Sequence, residues 1–88
     1  MFAVTLIQGE RRVLRGTPAG AAILAAVTLA RRAGARAGRR VRIGTIAGRI
    51  IGYNIASGGV YPGAAFPLLV ATEYGLAKCS LDEIRFVA

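Results

Sequence analysis

Arginine is the residue type whose number and spacing carry chemistry in this 88-residue chain. Eleven of its twelve cations are arginine, and nine of them (Arg11, Arg12, Arg15, Arg31, Arg32, Arg36, Arg39, Arg40 and Arg42) precede Ile43 against a single acid, Glu10. From Ile43 onward, Arg49, Lys78 and Arg85 are balanced by Glu73, Asp82 and Glu83, so the whole net charge of +8 belongs to the first half. A guanidinium presents a planar fork of donors that grips phosphate bidentately and stacks on flat rings. Between Arg31 and Arg42 half of the residues are arginine and none is acidic. Such a run repels itself and stays solvated until an anion neutralises it. The expected partner is DNA or RNA, with Arg31, Arg32, Arg36, Arg39, Arg40 and Arg42 on phosphates and Arg49 extending the basic surface. Counterion release would supply the affinity, with no base specificity implied. Of the aromatics, Tyr61 in a long polar stretch and Tyr74 in a tight turn are expected to be exposed and to stack on bases, whereas Tyr53 and Phe66 are assigned to the core.

Catalytic chemistry finds few residues to work with. There is no histidine, which removes the commonest general base and metal ligand. The lone cysteine, Cys79, stands in an apolar alternation and reads as a buried core thiol. Asp82 and Glu83 are adjacent, and a capping role beside Ser80 accounts for them without a carboxylate pair. Gly44, Gly48 and Gly52 do not make the spacing of a dinucleotide loop, and no Gly-Lys-Ser/Thr follows. The expectation is a non-enzymatic protein with no cofactor and no metal. The segment Arg11-Arg12-Val13-Leu14-Arg15, followed by an apolar run and Ala35-Arg36-Ala37, resembles a twin-arginine export signal. An apolar stretch, Phe2 to Ile7, precedes those arginines, and the run from Ala19 to Ala30 falls short of the ~20 residues that span a bilayer. The chain is therefore expected to be cytoplasmic, with no membrane partner.

These side chains need a scaffold, and 88 residues suffice for one domain. With 55% apolar residues and a mean hydropathy of +0.53 the chain can bury a core, unlike a disordered basic tail. Phe2 to Ile7 alternates as a strand, and Gln8-Gly9-Glu10 supplies a turn before Arg12-Val13-Leu14, which suggests an N-terminal strand or hairpin. Thr17-Pro18 is an N-cap with proline at the first helical position, and the alanine-rich run beyond it predicts a helix from about Pro18 to Ala33. Its inward face is read as Ile23, Val27 and Ala30 with Leu24 beside them, and Gly34 is its stop. A basic connector follows. From Val41 short apolar runs alternate with turn signals: 41–43, 48–53, 66–72, 76–79 and 84–87 read as strands, Glu73-Tyr74-Gly75 as a tight turn, and Ser80 to Glu83 as one helical turn with a capping box. The fold class is thus α+β, with a basic strand-helix extension over 1–40 and five strands over 41–88, together forming one compact domain.

Val41-Arg42-Ile43-Gly44 followed by Gly48-Arg49-Ile50-Ile51-Gly52-Tyr53 is similar to the KOW pattern, and Leu76 to Ile84 resembles the penultimate strand and short helical turn of a Src-homology-3-like barrel. The resemblance covers about 41–87 and implies a five-stranded Src-homology-3-like barrel of the kind found in nucleoproteins, a barrel that also hosts other roles. Gly48 to Tyr53 and Leu81 to Phe86 look distantly like type II dihydrofolate reductase as well. That family's Val-Gln-Ile-Tyr run is replaced here by Leu76-Ala77-Lys78-Cys79, without the glutamine and the tyrosine, so its activity is not expected.

A second function class competes. A neutral barrel half with a long loop around Tyr61-Pro62-Gly63 and a free strand edge suits docking to a host protein complex or self-association into a homo-oligomer. A compact basic chain of this type resembles phage or mobile-element accessory proteins, which would make it an adaptor, an inhibitor or a virion component.

Overall fold

The structure is a computed structural model that describes residues 18–87. One helix, α1 (Pro18–Arg32), is followed by strands β1 (Arg40–Ile43), β2 (Ile46–Tyr53), β3 (Leu68–Thr72), β4 (Gly75–Cys79) and β5 (Ile84–Phe86), with a 3-10 turn at Leu81–Glu83. This is an α+β arrangement, as the sequence predicts, and the expected N-terminal strand or hairpin lies outside the described residues.

Proline at the first helical position starts α1 at no hydrogen-bonding cost. Gly34 stops it, with φ +97°. Its N–H donates to the Arg31 carbonyl, and the N–H of Ala35 reaches back to the Ala30 carbonyl, each at 3.0 Å. That pair of bonds is a Schellman motif, which needs the left-handed conformation that glycine adopts without strain. Ala30 and Ala35, the two residues this closure brings together, are both fully buried and join the core. The inward face of α1 is Gly20, Ile23 and Ala30, with Val27 half-buried. Leu24 departs from the expectation: it lies about a quarter-turn round from Ile23 and is 59% exposed.

All five strands form one antiparallel sheet in the order β4-β3-β2-β1-β5. Gly44 and Thr45 make the two-residue turn between β1 and β2, with Ile43 opposite Ile46 and φ +62° at Gly44, where this type of hairpin requires a positive angle. The β3–β4 hairpin turns at Glu73 and Tyr74 and is clamped by the Thr72 hydroxyl, which donates to the Gly75 carbonyl at 2.8 Å and accepts from the Tyr74 N–H at 3.1 Å. β4 and β5 lie at opposite edges, which in a flat sheet would be roughly 19 Å apart. Only Ser80 to Glu83 join them, part of that length coils into the 3-10 turn, and even an extended linker of five steps covers at most about 18 Å. The sheet therefore curls on itself in a barrel-like manner. Val41, Ile50, Leu68, Val70 and Cys79 fill its inside, with Ile43, Tyr53, Ala77, Leu81, Ile84 and Phe86 packed around them.

Long as it is, the connection between β2 and β3 is well tied down. Asn54 is buried, and its side-chain amide donates to the carbonyls of Tyr61 (2.8 Å) and Phe66 (3.0 Å), while its Oδ1 accepts from the Ala56 N–H at 3.1 Å. The Gly63 N–H donates to the Ala56 carbonyl at 2.8 Å, and a β-carbon at Gly63 would collide with the Asn54 carbonyl. Tyr61 and Phe66 meet edge to face with ring centroids 5.2 Å apart. No helix among the described residues is long and apolar enough to cross a membrane.

Candidate nucleic-acid interface

Strand alternation sorts the arginines. In β1 the side chains of Arg40 and Arg42 are exposed and Val41 between them is fully buried, because successive residues of a strand face opposite ways. β2 repeats the pattern with Arg49 exposed beside buried Ile50, and β5 with Arg85 exposed between half-buried Ile84 and Phe86. Register then brings the four together: Arg40 lies directly opposite Arg49, and Arg42 directly opposite Arg85. Cross-strand partners stand about 5 Å apart at Cα and alternate residues of one strand about 7 Å apart. The result is a compact array of four guanidinium stems on the outer face of β2, β1 and β5. Ala47, opposite Arg42, and Ala71, opposite Arg49, add only methyl groups beside it.

Like charges directly opposite one another destabilise a sheet, so the register of these arginines is unfavourable in itself. Among the described residues no carboxylate pairs with these guanidiniums. Arg42 spends one N–H on the Thr45 carbonyl at 3.4 Å. That leaves the other four donors of its fork available.

The remaining predicted cations are divided. Arg31 and Arg32 are exposed on the last turn of α1, where the helix dipole favours positive charge, and Arg36 is exposed in the connector. Arg39 belongs to a different environment. Its guanidinium lies over the Phe86 ring at 4.3 Å and donates to the Gly34 carbonyl at 3.2 Å, so it braces the connector against β5 on the side opposite the array. The connector is fixed further by the Gly38 N–H donating to the Ile50 carbonyl (2.7 Å), the Ile50 N–H to the Arg39 carbonyl (2.9 Å), and the Tyr53 hydroxyl to the Ala35 carbonyl (2.7 Å). Arg85 completes the array and was not singled out from sequence, because the acids around it balance its charge. The alternation of Ile84-Arg85-Phe86 carries the signal for its facing, but its pairing with Arg42 is a matter of register.

Tyr61 and Tyr74 are exposed, at 51% and 77%, and neither lies on β1, β2 or β5. Tyr74 caps the β3–β4 turn. Tyr61 lines an open groove of about 490 Å³ with Leu76, Ala77, Lys78, Cys79 and Glu83, and no arginine among the described residues contributes to it. The structure thus assembles four arginines and sets both tyrosines apart from them. In the same groove the Cys79 thiol is pushed above its ordinary pKa by burial and by the charge of Glu83, which disfavours the nucleophilic thiolate. The Glu83 carboxylate accepts the Ser80 N–H at 2.7 Å, and the Ser80 hydroxyl donates within the same cluster to Asp82. Both acids are therefore engaged at the head of the 3-10 turn, as the capping pattern implies.

Compared with known proteins, the chain matches no protein-family model, and no curated protein or solved structure gives a significant match.

Proposed function

We propose that this protein is a small, non-enzymatic nucleic-acid-binding module whose ligand is the phosphate backbone. The observation that carries this reading is the register of Arg40 with Arg49 and of Arg42 with Arg85 on one exposed face, with no opposing acid among the described residues. An array that opposes folding on its own becomes favourable once phosphates neutralise it. Exposed Arg31, Arg32 and Arg36 add charge near the start of the sheet. The strand order and the 3-10 turn between β4 and β5 support a Src-homology-3-like barrel related to KOW modules, with the cytoplasm, where nucleic acid is abundant, as its location.

The test is retention on immobilised DNA or heparin as salt is raised. Four phosphate contacts give a slope of about −3.6 in log affinity against log salt, or about a 150-fold loss for a fourfold rise in salt. Replacing Arg40, Arg42, Arg49 and Arg85 together by glutamine should make that slope shallower by about 3.6 and leave the fold intact. Salt-sensitive retention that persists unchanged in the quadruple variant overturns the assignment of the site.

A second reading rests on a separate feature, the groove beside β4, which is an edge strand among the described residues. Alternate residues of an edge strand turn their N–H and C=O groups outward, which fits an extended segment of a protein partner. A partner retained after nuclease treatment and lost on mutation of Tyr61 would support it.

A further inference from the structure

We infer that the arginine face takes the backbone of a duplex in preference to a single strand, an inference that rests on the phosphate reading above. Single strands are held by combining a basic track with aromatic rings on which successive bases stack. The outer face of β2, β1 and β5 has the charge and, among the described residues, no ring. Beside the four arginines stand Ala47 and Ala71, Phe86 turns toward the core under Arg39, and Tyr53 is half-buried with its hydroxyl spent on Ala35. Among the described residues the well-exposed rings, Tyr61 and Tyr74, belong to the β2–β3 connection and the β3–β4 turn.

Charge density points the same way. A duplex carries one charge per ~1.7 Å of axis, and each neutralised phosphate contributes about 0.9 to its salt slope against about 0.7 for a single strand. With ligand recognition reduced to electrostatics, the denser polyanion returns more counterions for the same four contacts. Rigidity matters too. The arginine stems rise from paired strands at fixed separations of about 5 and 7 Å, and the methyl groups of Ala47 and Ala71 leave room for a stiff phosphate ridge to approach. A pre-organised array loses least freedom against an equally regular partner.

The experiment is a fluorescence anisotropy titration of the full chain with a short mixed-sequence duplex and with oligothymidine of equal length, across a salt series, with DNA and RNA duplexes as parallel arms. The expected result is tighter binding to at least one duplex than to oligothymidine, a duplex slope of about −3.6 or steeper, and a slope shallower by about 3.6 in the variant carrying Arg40→Gln, Arg42→Gln, Arg49→Gln and Arg85→Gln. Tyr61→Ser and Tyr74→Ser should leave duplex binding unchanged. Equal or tighter binding of oligothymidine, or about a tenfold loss on removing either tyrosine, overturns the duplex assignment and leaves the phosphate reading standing. Absence of salt-sensitive binding to every probe overturns both.

Discussion

The hydroxyl of Tyr53, near the end of β2, donates to the carbonyl of Ala35 at 2.7 Å and so ties the segment leaving α1 to the sheet. Ala35 is fully buried, and a carbonyl stranded there without a donor costs about 1–3 kcal/mol. Tyr53→Phe keeps the ring in the core and removes only the donor. It should lower stability by that amount in urea unfolding, with affinity for polyanions unchanged because the β1 arginines are held by strand pairing.

Charge reversal at Arg40 gives the opposite sign. With Arg49 directly across the strand pair, Arg40→Glu converts a repulsive contact into an attractive one worth about 0.5 kcal/mol. For a domain of this size that is about 2–4 °C in thermal midpoint. Melting curves at low salt should show the gain, and salt near ~1 M, where the screening length falls to ~3 Å, should erase it. The same variant should bind nucleic acid more weakly, so stability and binding move in opposite directions.

Asn54 and Gly63 together set the shape of the long connection. Asn54→Ala removes three hydrogen bonds and strands the Tyr61 and Phe66 carbonyls, which should cost about 2–4 kcal/mol in chemical denaturation. Gly63→Ala should destabilise by about 3 kcal/mol, since the new methyl meets backbone at Asn54 that cannot move aside.

Cys79 supplies a pH dependence. Its folded pKa is raised, by burial first and by Glu83 second, so the unfolded thiol ionises before the folded one. The contribution is fully present below the unfolded value of about 9.0 and is lost as pH rises through the folded one. The stability difference between the protein and Cys79→Ala should therefore be constant from pH 6 to about 8 and shrink above it. A difference that stays flat to strongly alkaline pH contradicts the assignment.

Much of the scaffold was legible because it is written in local patterns. Pro18 and Gly34 bracket the helix, and Gly44 and Glu73-Tyr74-Gly75 mark the hairpins, since each needs a backbone angle that few residues supply. The exposure of Arg40, Arg42 and Arg49 follows from alternation with Val41 and Ile50. What alternation leaves open is register. The meeting of Arg42 with Arg85 depends on β5 returning to the far side of β1, a contact between distant parts of the chain, so a charge count along the sequence grouped Arg39 with the array and left Arg85 out. The spatial separation of Tyr61 from the arginines is hidden for the same reason. Asn54 gave no sign of its role as a staple, because polar residues near glycines read as a loose loop until their partners are known.

The alternation that turns the guanidiniums outward also guards the pairing of the strands. A slip of one position along β1 would turn Arg40 and Arg42 into the barrel and expel Val41, an exchange that no arrangement of neighbours makes tolerable. The charged side chains thus penalise misaligned sheets and bias the chain toward a single alignment.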